Sequence, residues 1–96
     1  MNQPEEPKDI RKLFYRSLPP RKREIVQCVV QLCLSNHEIA DKFTISISVV
    51  NEHISMIYDA LETSGYCVFN KQAKRATLIH FFGHFFEDFP EIGELD

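Results

Sequence analysis

Residues 35–53, SNHEIADKFTISISVVNEH, carry two apolar stripes at helical spacing, separated by about one turn. Ile39, Ala40 and Phe43 share one face of the first stripe, and Ile45, Val50 and Ile54 line the second. Ser35 with Glu38 three positions later is the capping-box pattern that starts a helix. Ser46 can cap a second helix through its hydroxyl. Ala40 is small enough for one helix to pass closely over the other. The stretch predicts two short helices joined by a tight turn, a helix-turn-helix.

Ninety-six residues allow one small domain with one core. An apolar fraction of 44% and a charged fraction of 26% are ordinary for a soluble globular chain. No apolar run approaches the ~20 residues of a membrane span, so no membrane role is expected. The opening MNQPEEPKD is acidic and polar, unlike a secretory leader. Cys28, Cys33 and Cys67 lack metal-ligand spacing, and an odd count argues against a disulfide framework. A reduced, cytoplasmic setting is the natural expectation.

The chain divides into a disordered lead (1–7), a helix-turn-helix domain (8–86) and an acidic tail (87–96). Within residues 8–17, Ile10, Leu13 and Phe14 recur at helical spacing and predict a short helix on the core. Pro20 suits the first turn of the next helix, where its missing N–H has no partner anyway. Residues 21–32 then present Ile25, Val26, Val29 and Leu32 inward. A third helix over 47–61 has Gly65 as its stop signal. Residues 65–70 read as a loop. Asn70 is expected to cap a last helix through about residue 86, before Pro90 forbids continuation. The fold class is all-α: four principal helices, with an extra short one in front.

A net charge of −3 is awkward for a nucleic-acid binder, so its distribution decides more than its sum. Seven of the eleven Lys and Arg residues lie between positions 8 and 23, none lies between 43 and 70, and the last ten residues carry five acids. A basic front fits a face presented to phosphate, and equally a charge-guided protein contact. Arg21, Lys22 and Arg23 open a helix, where free N–H groups and the macrodipole attract anions. Phosphate contact is the functional reading there, and a solvated charged face the plain one. The second helix of the motif exposes Ser46, Ile47, Ser48, Asn51, Glu52, Ser55 and Met56. Asn51 can bond an adenine edge in bidentate fashion, and the serines can meet bases or phosphates. Glu52 opposes phosphate.

HFFGHFFEDF (80–89) holds more Phe than one helical stripe can bury. On a continuous helix Phe81 and Phe85 form one row, and Phe82 and Phe86 another. One row should pack inward. The other, taken as Phe82 and Phe86, would be an exposed patch that marks a partner surface. Gly83 inside such a helix costs ~1 kcal/mol relative to Ala. His80 and His84 lack an obvious third ligand and read as surface histidines rather than a metal site. Cys28 and Cys33 read as small core residues, and Cys67, in the loop, offers a thiol for redox sensing. No nucleophile–base pair, phosphate loop or carboxylate pair appears, so neither catalysis nor a cofactor is expected.

Residues 18–61 together resemble the DNA-binding domain of LuxR/GerE-type bacterial regulators. The resemblance rests on Leu18, Pro20, Arg21, Arg23, Glu24 and Ile25, on Ser35, Asn36, Glu38, Ile39 and Ala40, and on Ile45, Ser46, Val50, His53, Ile57 and Tyr58. It continues weakly into RATLIHFF (75–82). The interval from Glu24 to Glu38 is one residue longer than usual for that family and is similar to region 4 of alternative sigma factors. Where the family commonly has Lys or Arg, this chain has Ser48 and Asn51. The resemblance implies a four-helix LuxR-type domain that regulates transcription by binding double-stranded DNA as a homodimer, its last helix pairing the copies. It implies phosphate contacts from Arg21, Arg23 and His53, and phosphate or base contacts from Ser46, Ser48 and Asn51. The alternative is a degenerate helix-turn-helix that binds another regulator or RNA polymerase.

Overall fold

The computed structural model describes residues 9–95, and among them every regular element is helical. The expected disordered lead lies outside the described residues. In order come α1 (Ile10–Ser17), α2 (Pro20–Val30), α3 (Asn36–Phe43), α4 (Ile47–Ser64), α5 (Lys74–Phe82), α6 (Phe85–Asp88) and α7 (Pro90–Leu95). α4 packs against α2, α3 and α5. Its inward stripe of Val50, Ile54, Ile57 and Leu61 meets Ile25, Val26 and Val29 of α2 and Ile39 and Ala40 of α3 in one core. Among the described residues no helix is long and apolar enough to cross a membrane.

The first elements fall close to their sequence signals. Asp9 caps α1 by accepting from the Arg11 amide at 2.9 Å. Pro20 opens α2 after Pro19, which supplies no side-chain cap. α2 ends at Val30, two residues early. Leu32 is therefore 48% exposed rather than inward, and Cys33 is exposed in the left-handed region at φ 54°. Leu34 takes the inward place, its amide bonded to the Cys28 carbonyl at 2.9 Å. In α1 the buried pair is Phe14 and Tyr15, while Ile10 and Leu13 face out. The rings of the C-terminal third select that face: Tyr15 lies 5.4 Å from Phe85 and 5.6 Å from Phe86 between centroids.

The largest departure is the expected last helix over 70–86. Asn70 does not cap it. Its side chain accepts from the Gln72 amide at 3.0 Å, and α5 begins four residues later without a side-chain cap. At Gly83 the backbone takes φ 53°, ψ −123°, a region glycine alone enters readily. The chain turns there, and α6 brings Phe85 and Phe86 back toward Tyr15 and Phe82. Phe82, Phe85 and Phe86 are consequently buried, and Phe81 packs half-buried against them. Phe82 and Phe86, expected on a dimer interface, are 0% and 4% exposed within the single chain and belong to the core. The energetics favour the turn: burying a Phe is worth about 1.5–3 kcal/mol, whereas each helix hydrogen bond given up contributes about 0.5–1.5.

The expected acidic tail is also structured through residue 95. Ile92 is buried, Asp88 pairs with Arg11 at 3.2 Å, and the Lys12 ammonium sits 4.1 Å over the Phe89 ring. The basic front is thus partly spent on the acidic, aromatic end of the same chain.

Candidate nucleic-acid interface

The α3–α4 corner is defined by three local devices. Ser35 and Glu38 close the capping box in both directions, Glu38 N–H to Ser35 Oγ at 3.2 Å and Ser35 N–H to Glu38 Oε1 at 2.9 Å. Those bonds to Ser35 hold the Glu38 carboxyl below its usual pKa range. Thr44 ends α3 in the left-handed conformation at φ 54°, and the Ile45 amide reaches back to the Ala40 carbonyl at 3.0 Å. Ser46 then caps α4, accepting from the Val49 amide at 3.2 Å. Three residues separate the helices, as in a helix-turn-helix.

Burial of Val50, Ile54 and Ile57 turns the opposite face of α4 to solvent. Ser46, Ser48, Val49, Asn51, Glu52, Ser55 and Met56 are exposed there, and Ile47 is half-buried. The face is mostly polar, with Val49 and Met56 as its exposed apolar side chains, and it carries no Lys or Arg. His53 sits at its flank against the N-terminus of α2, where the Lys22 ammonium lies 3.2 Å from Nδ1. A charged ammonium can only donate, so Nδ1 accepts and the ring proton resides on Nε2. Desolvation by burial lowers the His53 pKa, and Lys22 and Arg21 nearby lower it further. The Arg21 guanidinium lies 4.3 Å over the Phe43 ring and 4.0 Å from Glu24. Arg21, Lys22 and Arg23 are all half-buried. Of the residues expected to touch DNA, His53 and Arg21 are thus gathered around Lys22, while Ser46, Ser48 and Asn51 lie along the exposed face of α4.

Sequence reasoning missed Arg75 at the start of α5. One guanidinium nitrogen donates to Asn36 Oδ1 at 2.8 Å, and a second donates to the Leu34 carbonyl. Asn36 in turn donates through Nδ2 to Asn51 Oδ1 at 2.9 Å. Tyr58 is also within reach of Arg75; burial raises its pKa and Arg75 partly offsets the rise. No local pattern could have found this chain, because Arg75 and Asn36 are 39 residues apart. The one hint was an arginine outside the basic front, directly after Lys74.

Other candidates carry less. Gly83 interrupts the helix that would have set His80 beside His84, and His84 bonds Glu87 at 2.9 Å. Among the described residues no group of three or more His, Cys, Asp and Glu is arranged around a metal position. Burial raises the pKa of both the Cys28 and the Cys67 thiol, which disfavours the reactive thiolate. Compared with protein-family models, curated proteins and solved structures, the chain matches none.

Proposed function

We propose that this chain is a DNA-binding module of a LuxR-type transcriptional regulator, reading duplex DNA through the exposed face of α4 in a reducing cytoplasm. The observation that carries the reading is the capped α3–α4 corner, with a solvent-facing, largely polar face on α4 and the cationic start of α2 bonded to its flank through Lys22 and His53. In this reading α4 enters the major groove. Ser46, Ser48 and Asn51 meet bases or phosphates, and Arg21, Arg23 and His53 meet the backbone. With Phe82 and Phe86 in the core, the surface expected to pair two copies is gone.

Fluorescence anisotropy with random duplex DNA across a salt series tests the reading. Each neutralised phosphate contributes roughly −0.9 to the slope of log affinity against log salt. With no cation on α4, a shallow slope of about −2 to −4 is expected. Reversing Arg21 and Arg23 to Glu should weaken every duplex alike. One observation favours the protein-partner reading instead: residues 43–70 lack any Lys or Arg, and Glu52 is exposed on the outward face. Failure to bind duplex even at low salt would decide for that reading, with another regulator or RNA polymerase as the partner class.

A further inference from the structure

The Arg75–Asn36–Asn51 chain has a direction, and the chemistry of its first member sets it. A guanidinium has five donors and no acceptor. The end of the Asn36 amide that faces Arg75 must therefore be its oxygen, as the 2.8 Å contact has it. The other end, an NH2 group, then faces Asn51, and Asn51 can answer only with its own oxygen, at 2.9 Å. What remains turned away from Asn36 is the Asn51 NH2 group, on the exposed face of α4. An amide whose orientation is ordinarily ambiguous is here fixed by an arginine on another helix. The bond from Arg75 to the Leu34 carbonyl steadies the guanidinium, and with it the whole relay.

We propose that Arg75 is a positioning residue that presents Asn51 as a two-donor group, so that α4 favours guanine over adenine at the base facing Asn51. The inference rests on the DNA reading above. Guanine offers two acceptors, N7 and O6, on its major-groove edge, whereas adenine offers one acceptor and one donor. The bidentate adenine contact needs the asparagine oxygen and NH2 side by side on one base edge, and the bond from Asn36 turns the oxygen toward α3 and occupies one of its two lone pairs. This reverses the adenine preference expected for Asn51 from sequence. Arg75 touches no base in this scheme and acts through Asn36.

Asn36→Asp supplies a decisive variant. Aspartate only accepts, so it pairs with Arg75 and forces Asn51 to turn its NH2 inward, leaving the Asn51 oxygen outward. An acid at the first turn of α3 also suits the helix dipole, which protects folding. The full chain is mixed with a fully randomised duplex pool at low salt, and the retained duplexes are sequenced for the unaltered protein, Asn51→Ala, Asn36→Asp and Arg75→Met. The expected result is one position enriched for guanine over adenine on the order of tenfold. That enrichment disappears in Asn51→Ala and moves to adenine or cytosine in Asn36→Asp. In Arg75→Met it flattens while total retention is unchanged, which a merely structural role for Arg75 would not produce. If Asn36→Asp fails to fold, Arg75→Met carries the test alone. An Asn51-dependent adenine preference, no Asn51-dependent position, or guanine retained in both variants overturns the inference while leaving DNA binding intact. No retained duplex at all overturns the DNA reading itself, and the inference with it.

Discussion

The α3–α4 corner and the aromatic C-terminal third are built by different rules, although each ends its helices with comparable sharpness. At the corner every boundary is set within a few residues. Ser35 and Glu38 start α3, Thr44 and Ile45 close it, Ser46 starts α4 and Gly65 ends it at φ 70°. In the C-terminal third the boundaries answer to side chains far away in sequence. Gly83 adopts its conformation because Phe14 and Tyr15, about seventy residues earlier, offer a surface that both Phe rows can cover only if the helix breaks. Local polar bonds shape one region, and distant apolar burial shapes the other.

That contrast makes its largest prediction at Phe82, whose ring lies within 6.4 Å of Phe14, Tyr15, Phe81, Phe85 and Phe86 between centroids. Phe82→Ala should cost about 3–5 kcal/mol in urea unfolding, a large share of the 5–15 kcal/mol typical of a whole domain. Polar residues at both Phe82 and Phe86 should unfold the chain rather than release a folded monomer. Met56→Ala, on the exposed face of α4, should change stability little. A well-folded double variant would show that the aromatic third is not core.

Next in size comes the pair of glycines. A Cβ at Gly83 would meet nothing closer than the His80 carbonyl at 3.9 Å, so a substitution there is opposed by backbone conformation rather than by space. Gly83→Asn should cost about 1–3 kcal/mol. Gly65 is in the ordinary left-handed region with open space around it, and asparagine visits that region readily. Gly65→Asn should therefore be the milder change in the same thermal melts. Equal costs would mean that the two breaks are alike, and the contrast between the regions would fail. Smaller again, Ser35→Ala should cost about 1 kcal/mol by removing one side of the capping box, with α3 fraying before the aromatic end responds.

The same division explains what the sequence could reveal. The caps at Ser35 and Ser46, the αL stop at Gly65 and the apolar stripes of α3 and α4 depend on neighbours three or four residues away, so they were legible, whereas the expected Asn70 cap did not form. The Phe rows were assigned by extending a helical period through Gly83, and period alone does not register that breaking the helix buries more surface. Leu32 failed for a related reason, since α2 ends two residues early and Leu34 fills the inward position. At the candidate interface most exposed residues of α4 were readable from periodicity, although Ile47, expected outward, is half-buried and Val49 is exposed. The Arg75–Asn36–Asn51 relay was not, because the direction of a hydrogen bond between distant helices leaves no trace in spacing.

His53 offers the smallest effect and joins the corner to α2. Burial, then Lys22, then Arg21 lower its pKa from the usual 6.5, while Glu52 opposes them. A depressed value means that the folded chain holds its proton less tightly than the unfolded chain. The unfolded state therefore binds more protons between the folded value and 6.5, and stability rises with pH across that interval. The contribution is complete above 6.5 and is lost as pH falls through the folded value. Protonation would also remove the lone pair that accepts from Lys22 and set two cations 3.2 Å apart. Urea midpoints for the unaltered protein should fall on going from pH 7.5 to pH 5, and His53→Gln should fall less over the same range. A steeper fall in the glutamine variant would place the acid-sensitive group elsewhere. It would also remove the reason to treat the Lys22–His53 contact as a stabilising link between the basic start of α2 and the face of α4.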